Sequence, residues 1–291
     1  MKTHGASEIM HQERMETMKP VLSEKEKQAL IKILKMEQQF EETSYGTPLD
    51  EKNYVLPEHF SVTKKFAEEV RRIPLVMPEV PSNGPSYFDV VSNRASRRAY
   101  AQEKPISLEV LSAILFWTTG KRGEMPAYSQ KAFPLFHTPS SGGLQGVDVY
   151  VIATQKNGEL PPGLYYYDKV EHELVVLCAP CLPSIWIPDS IYHQWFVLEA
   201  PLLLLFVLNL ARGLWKYGVM FYRNGLMDAG IMAAHAHLAA QAMGVDSCMI
   251  AGFDRRFFAN KLLLEEYEIP TLLLSLGYKA ERAENTFTQV A

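Results

Sequence analysis

The chain has 291 residues, 47% of them hydrophobic and 21% charged, with a net charge of −4. That length and apolar share suffice for one large domain plus an extension, and the slight acidity excludes a global field that would favour nucleic acid. Three cysteines, an odd number, argue against a disulfide framework and fit a reducing, cytoplasmic setting.

The first 22 residues are polar and Met-rich, without the apolar core of a secretory signal. The longest apolar run, 200–208, contains Pro201 and is far shorter than the roughly 20 residues a membrane span requires. Ser23 is a suitable helix N-cap. Glu26 completes a capping box, and Leu30, Ile31, Ile33, Leu34 and Phe40 follow at helical spacing. A second helical piece is expected over 62–72. Pro74, Pro78, Pro81 and Pro85 then exclude regular helix. Residues 1–86 therefore read as an N-terminal helical extension, suited to substrate or partner docking, and 87–291 as the main domain.

In the main domain, 87–96 is expected to be helical, and Ser107 caps a helix over 108–117. Residues 147–154 alternate as a strand. Segments 163–168 and 173–177 form a hairpin whose charged turn is 169–172. The continuous apolar segment 201–210 predicts a strand buried on both faces. Residues 224–243 predict a small-residue helix apolar nearly all round, and 272–277 a last buried strand. This order implies an α+β or mixed α/β fold without internal repeats.

Arg94, Ser96 and Arg98 alternate, so in extended chain they point the same way. Guanidinium forks and a hydroxyl suit a phosphate, although a solvated basic surface would show the same pattern. The loop 137–146 holds Ser140, Ser141, Gly142 and Gly143. Glycines there allow close backbone approach to a flat ligand, but neither a Walker loop nor a dinucleotide fingerprint is present. Cys178 and Cys181 flank Pro180 and read as structural thiols. His235 and His237, two apart on a helix, make a poor metal pair, and no metal site is expected. Tyrosines 165–167 suit a strand. Finally, Lys216 and Tyr217 stand side by side just ahead of the small-residue helix.

Five ordered blocks give these residues a common context: 94–100; 139–145 leading to 149–151; 163–168; 215–218 with Tyr222, Arg223 and 228–230; and 244–254 ending at Leu276 and Gly277. Together they resemble the FMN-dependent nitroreductase family. The likeness is closest to its azoline-dehydrogenase branch, which oxidises thiazolines and oxazolines in peptide natural products. It covers about residues 87–291. It implies a homodimer, a mixed sheet wrapped in helices, and two FMN molecules at the dimer interface. Arg94, Ser96 and Arg98 match the positions holding the FMN phosphate and pyrimidine edge. Pro139, Ser140 and Ser141, with Gly143, match a loop that reaches the flavin of the opposite subunit. Ile250, Ala251 and Gly252 match the segment against the isoalloxazine. Lys279, with Arg282 in reserve, matches the basic residue that closes the phosphate site.

Lys216 and Tyr217 match a Lys–Tyr pair of the azoline branch. Gly142 and Gly143 replace a block in which many nitroreductases carry asparagine. The implied reaction takes a proton from the ring carbon beside the carbonyl and a hydride from the neighbouring methylene to FMN, with molecular oxygen as final acceptor. Tyr217 is the expected proton acceptor, and Lys216 its electrostatic partner or a substrate orienter. The substrate would be an azoline in a small molecule, a peptide or a carrier-bound chain. Two other readings stay open: a general NAD(P)H-dependent nitro or quinone reductase, and a flavin-bearing scaffold that activates a cyclodehydratase.

Overall fold

The structure, a computed structural model, describes residues 23–44, 55–80, 82–101, 103–154 and 160–280. The first 22 residues, Arg282 and the side chains of Glu26 and Phe40 lie outside this set. The chain divides into two compact units, Met1–Pro48 and Leu49–Ala291. In the first, Glu24–Ser44 forms helix α1, and Lys27 N donates to Ser23 O at 2.9 Å, so the helix starts where the cap residue predicts. Leu30, Ile31, Ile33 and Leu34 are exposed on it.

The second unit is built on a seven-stranded sheet in the order β1-β6-β5-β4-β7-β9-β8. Its strands are β1 (Arg72–Pro74), β4 (Val147–Ala153), β5 (Gly163–Asp168), β6 (Glu173–Cys178), β7 (Leu202–Asn209), β8 (Asp246–Ile250) and β9 (Glu268–Gly277). A separate hairpin joins β2 (Lys121–Ala127) to β3 (Gln130–Phe136). Every ladder between named strands is antiparallel; the parallel component of the expected mixed sheet is confined to a bridge between Ser96 and Ser247 at the β8 edge.

Residue parity sorts the core into two layers. Val149, Val151, Leu204, Phe206, Tyr165 and Leu274 face α3 (Leu108–Thr119) and α6 (Met220–Ala242), meeting Leu111, Ile114, Met232 and Ala236. Their neighbours Tyr150, Ile152, Leu203, Leu205 and Leu273 face the other way, towards Ile187, Ile191, Val197, Phe253 and Phe258. Each fully buried Leu, Val or Phe contributes about 1.5–3 kcal/mol, and both faces are covered, so β4 and β7 are buried along their whole length. The alternation expected for 147–154 is therefore not a solvent pattern.

Two helical expectations need correction. No helix forms over 62–72. Thr63 Oγ1 lies 2.7 Å from Tyr166 Oη, Lys64 N donates to that oxygen at 2.7 Å, and Lys64 Nζ pairs with Glu268 at 2.7 Å. These tertiary bonds override a weak local helix preference. This segment packs on the sheet through those bonds and β1 pairs with β6, on the Leu49–Ala291 side of the compact division. Helix α2 covers only Tyr87–Asn93, since Arg94 is already extended (φ −61°, ψ 126°).

Candidate active site

β7 ends at Asn209, whose side chain accepts from Ala211 N at 3.1 Å and turns the chain into a 3-10 turn, Leu210–Arg212. One helical turn follows, α5 (Leu214–Tyr217), closed by Gly218 at φ 54°, ψ −147°, a conformation L residues rarely adopt. On a strand, adjacent side chains would point to opposite faces. On this turn Lys216 and Tyr217 are only about 100° apart around the axis, so both can serve one site.

They do converge. Lys216 Nζ donates to Tyr128 Oη at 2.8 Å, and lies 4.8 Å from the Tyr128 ring centre and 5.2 Å from that of Tyr217. Tyr128 Oη in turn donates to the Gly142 carbonyl. Burial pushes the Tyr128 phenol above its ordinary range, which preserves the proton it donates. The Tyr217 ring stacks on Phe221, centres 6.1 Å apart and 7° from parallel. Tyr128 packs against Phe133 at 5.1 Å and Trp215 at 6.0 Å.

The glycine loop is fixed from beneath. Ser141 N and Oγ donate to Asp228 of α6 at 2.9 and 3.1 Å. The Ser141 hydroxyl proton is thus directed inward. Ser140 Oγ instead accepts from Gln145 N at 3.0 Å and Gln145 Nε2 at 3.1 Å, so its own hydrogen can point outward. The Gln145 carbonyl accepts from Arg212 Nη1 at 2.8 Å and Lys169 Nζ at 3.3 Å. Arg212 also forks onto Asp148, with bonds of 2.8 and 2.7 Å, and all three charged side chains are buried. Burial alone would raise the Asp148 carboxyl, but Arg212 and then Lys169 outweigh it and hold it below the usual carboxylate range. Burial pushes Lys169 down to about 7 against the pull of Asp148. Lys169 lies in the expected charged turn but is buried there.

The basic stretch lies along β8. Arg94, Ser96 and Arg98 are exposed while Ala95, Arg97 and Ala99 turn inward, an extended alternation set by the Ser96–Ser247 bridge and by Arg97 N donating to Ser247 O at 3.0 Å. Arg94 Nη1 lies 3.2 Å from His237 Nε2, and His237 Nδ1 lies 3.0 Å from Ser247 Oγ. Arg94 can only donate, so Nε2 accepts and Nδ1 carries the proton towards Ser247. Burial, then Arg94, pushes His237 down to about 4. A bridge from Tyr100 brings exposed Lys279 to the same end of β8, where Asp246 pairs with Gly277. Ile250, buried, ends the strand about 13 Å away. Ala251 and Gly252 follow, exposed, with Gly252 O accepting from Gln194 Nε2.

Three exposed cations and a hydroxyl suit a phosphate. The carboxylate beside them, Asp246, has its Oδ1 3.8 Å from Arg97 Nε, and Asp246 Oδ2 and Arg97 Nε are buried without hydrogen-bond partners. The donor set fits a phosphorylated flavin. The Pro139–Gly143 loop is not part of this cluster. Asp228 and His237 lie about 13 Å apart along α6 and half a turn round it, so the loop and the cationic cluster sit at separate places on the chain.

A cavity of about 480 Å³ lined by Val76, Met77, Glu79, Glu109, Val110 and Trp117 contains none of these residues. Among the described residues, no group of three or more His, Cys, Asp or Glu side chains is placed to hold a metal, and no helix is long and apolar enough to cross a membrane. Cys178, Cys181 and Cys248 are unpaired thiols.

Tyr128 was not legible in the sequence. It occupies the two-residue turn of the β2–β3 hairpin with Ser129, at φ 51° and 61°. Such turns usually announce themselves by Asn-Gly or Asp-Gly. Gly123, Pro126 and Pro134 further disguise both strands.

An α+β sheet carrying a cationic cradle at one edge and a Lys–Tyr pair over a glycine loop defines a flavin-dependent oxidoreductase. The chain belongs to the nitroreductase family, whose profile matches residues 91–278. A Methanocaldococcus jannaschii protein assigned to the nitroreductases is 27% identical over 201 residues, 66% of this chain and 91% of its own length. A crystal structure assigned likewise, from Ralstonia eutropha, matches with TM-score 0.60 and 28% identity over 78% of this chain and all of that one. A chain of the E. coli microcin synthetase McbBCD complex, with truncated pro-MccB17 bound, shares the fold at TM-score 0.54 and 17% identity, covering 71% of this chain and 78% of its own.

Proposed function

We propose that the protein is an FMN-dependent oxidase that converts a thiazoline or oxazoline into the aromatic azole, in a peptide-derived or carrier-bound substrate. The observation that carries this reading is the convergence of Lys216, Tyr217 and Tyr128 on the loop at Gly142, a polar base site that reducing a nitro group does not require. The occurrence of the same fold in a synthetase complex holding a peptide supports it.

Arg94, Ser96, Arg98 and Lys279 would hold the FMN phosphate, and Ile250–Gly252 would line the ring. When bound, FMN would supply the hydride acceptor, with molecular oxygen as the final oxidant. Ser140 would reach the flavin of a second copy from the Pro139–Gly143 loop. Exposed Tyr87, Phe88 and Val91 on α2, with Met227 and Ile231 on α6, offer an apolar surface for that copy.

Tyr217 takes the proton from the ring carbon next to the carbonyl. A free phenol titrates near 10, so a base of this kind needs a neighbouring cation to act at neutral pH. Lys216 supplies it. Its amine is committed as a donor to Tyr128, which leaves Tyr217 as the acceptor.

Anaerobic mixing of the yellow protein with a small thiazoline should bleach the flavin, with NADPH reducing it far more slowly. The names of the relatives favour a second reading, an NAD(P)H-dependent nitroreductase. Rapid bleaching by NADPH and none by thiazoline would establish it.

A further inference from the structure

A side chain at position 142 would displace its neighbours. A Cβ there would stand 2.5 Å from Tyr217 Oη, 2.9 Å from Tyr128 Oη and 3.1 Å from Lys216 Nζ. Three polar groups from two separate segments thus meet over a bare stretch of backbone. Tyr128 is the member that links Lys216 to the loop. It accepts from Lys216, donates to the Gly142 carbonyl, and is held by the hairpin turn and by ring contacts to Phe133 and Trp215. A lysine on four flexible carbons has many rotamers, and a hydrogen bond to a fixed phenol selects one of them.

We propose that Tyr128 is a positioning residue for Lys216, and that Gly142 is a specificity-determining position because its missing side chain admits the Lys216–Tyr217–Tyr128 cluster. The reaction this serves rests on the functional reading above; the geometry does not. Filling position 142 displaces the cluster from the loop. Removing the Tyr128 hydroxyl leaves the cluster in place but removes the bond that orients the Lys216 amine towards it.

Two variants of the FMN-loaded full chain separate these effects. Asparagine tolerates the left-handed backbone at φ +61°, so Gly142→Asn tests the side chain rather than backbone strain. Tyr128→Phe removes one hydroxyl. Competitive acetylation followed by peptide mass spectrometry gives the reactivity profile of Lys216 across lysine reagents, with exposed Lys65 as internal reference. Both variants should shift the Lys216 profile and leave that of Lys65 unmoved. Anaerobic flavin reduction by a small thiazoline should slow by about 10²-fold, the cost of a misplaced group near the chemistry.

An unmoved Lys216 profile in both variants overturns the proposal. So does a shifted profile with thiazoline kinetics kept at the parent rate. If the parent protein is not reduced by thiazoline while the profile still shifts, the substrate reading fails and the positioning role stands.

Discussion

Asp228 and His237 are both buried on α6, nine residues apart, and each holds a different half of the candidate site. Asp228 fixes the glycine loop through Ser141; His237 tethers Arg94 to the β8 edge. One rigid helix thus sets the spacing between the Lys–Tyr pair's loop and the cationic cluster at the β8 edge. A change at either residue should disturb its own half.

Asp228→Ala should leave the Ser141 N–H without a partner and cost about 1–3 kcal/mol, read as a drop in Tm and faster amide exchange at Ser141–Gly143. Asp228→Asn keeps an acceptor and should hold the loop. Burial raises the Asp228 carboxyl despite its two bonds from Ser141. The folded state therefore binds that proton more tightly than the unfolded chain, and the group's contribution is lost as pH rises through the folded value. The stability of the Asn variant relative to the parent should grow as pH rises above the ordinary carboxylate range.

His237 has the opposite dependence. Its folded value is pushed down to about 4, so the neutral ring contributes stability above about 6.5 that is lost as pH falls towards 4. Because His237 is buried, the loss is on the order of 3 kcal/mol. A His237→Gln variant should lack this part of the acid sensitivity. The check is the difference between parent and variant Tm at pH 7 and pH 4.5. An equal decline in both would contradict it.

The strands were legible wherever burial wrote a continuous or alternating apolar run: β4, β5, β6, β7 and β9 all lie where the sequence places them, within a few residues at their ends. Residues 62–72 were not, because bonds to Tyr166 and Glu268 decide their conformation and no local pattern encodes those partners. The alternation of Arg94, Ser96 and Arg98 was readable, since it is local. The His237 tether beneath it lies 143 residues away and was not. Lys216 and Tyr217 could be named as a pair, but their joint reach depends on a single helical turn ended by Gly218. Four residues are too few to show helical periodicity.

Arg212 and Asp148 form a buried fork beneath the loop. Removing one partner leaves an uncompensated charge, so Arg212→Ala should cost about 3–5 kcal/mol in chemical denaturation. The double variant Arg212→Met, Asp148→Leu should recover only part of that, because buried Lys169 then loses the carboxylate 3.5 Å away and Tyr166 loses its acceptor. It should not recover turnover, since Gln145 then loses the Arg212 bond that holds its carbonyl. Stability and activity regained together would show that the fork has no bearing on the loop.

Tyr217→Phe keeps the ring that stacks on Phe221 and removes only the hydroxyl. The purified variant should therefore stay yellow and keep its unfolding free energy within about 1 kcal/mol of the parent, the net worth of one hydrogen bond. Anaerobic flavin reduction by thiazoline should fall by about 10²–10⁴, the usual contribution of a placed base. Lys216→Ala should also slow reduction, and should move the pH dependence of the remaining rate upward because the cation that favours the phenolate is gone. Deuterium at the ring carbon beside the carbonyl should give a larger isotope effect in Tyr217→Phe than in the parent, since proton removal becomes the slow step. A Tyr217→Phe protein with the parent rate and isotope effect would assign the proton to another group.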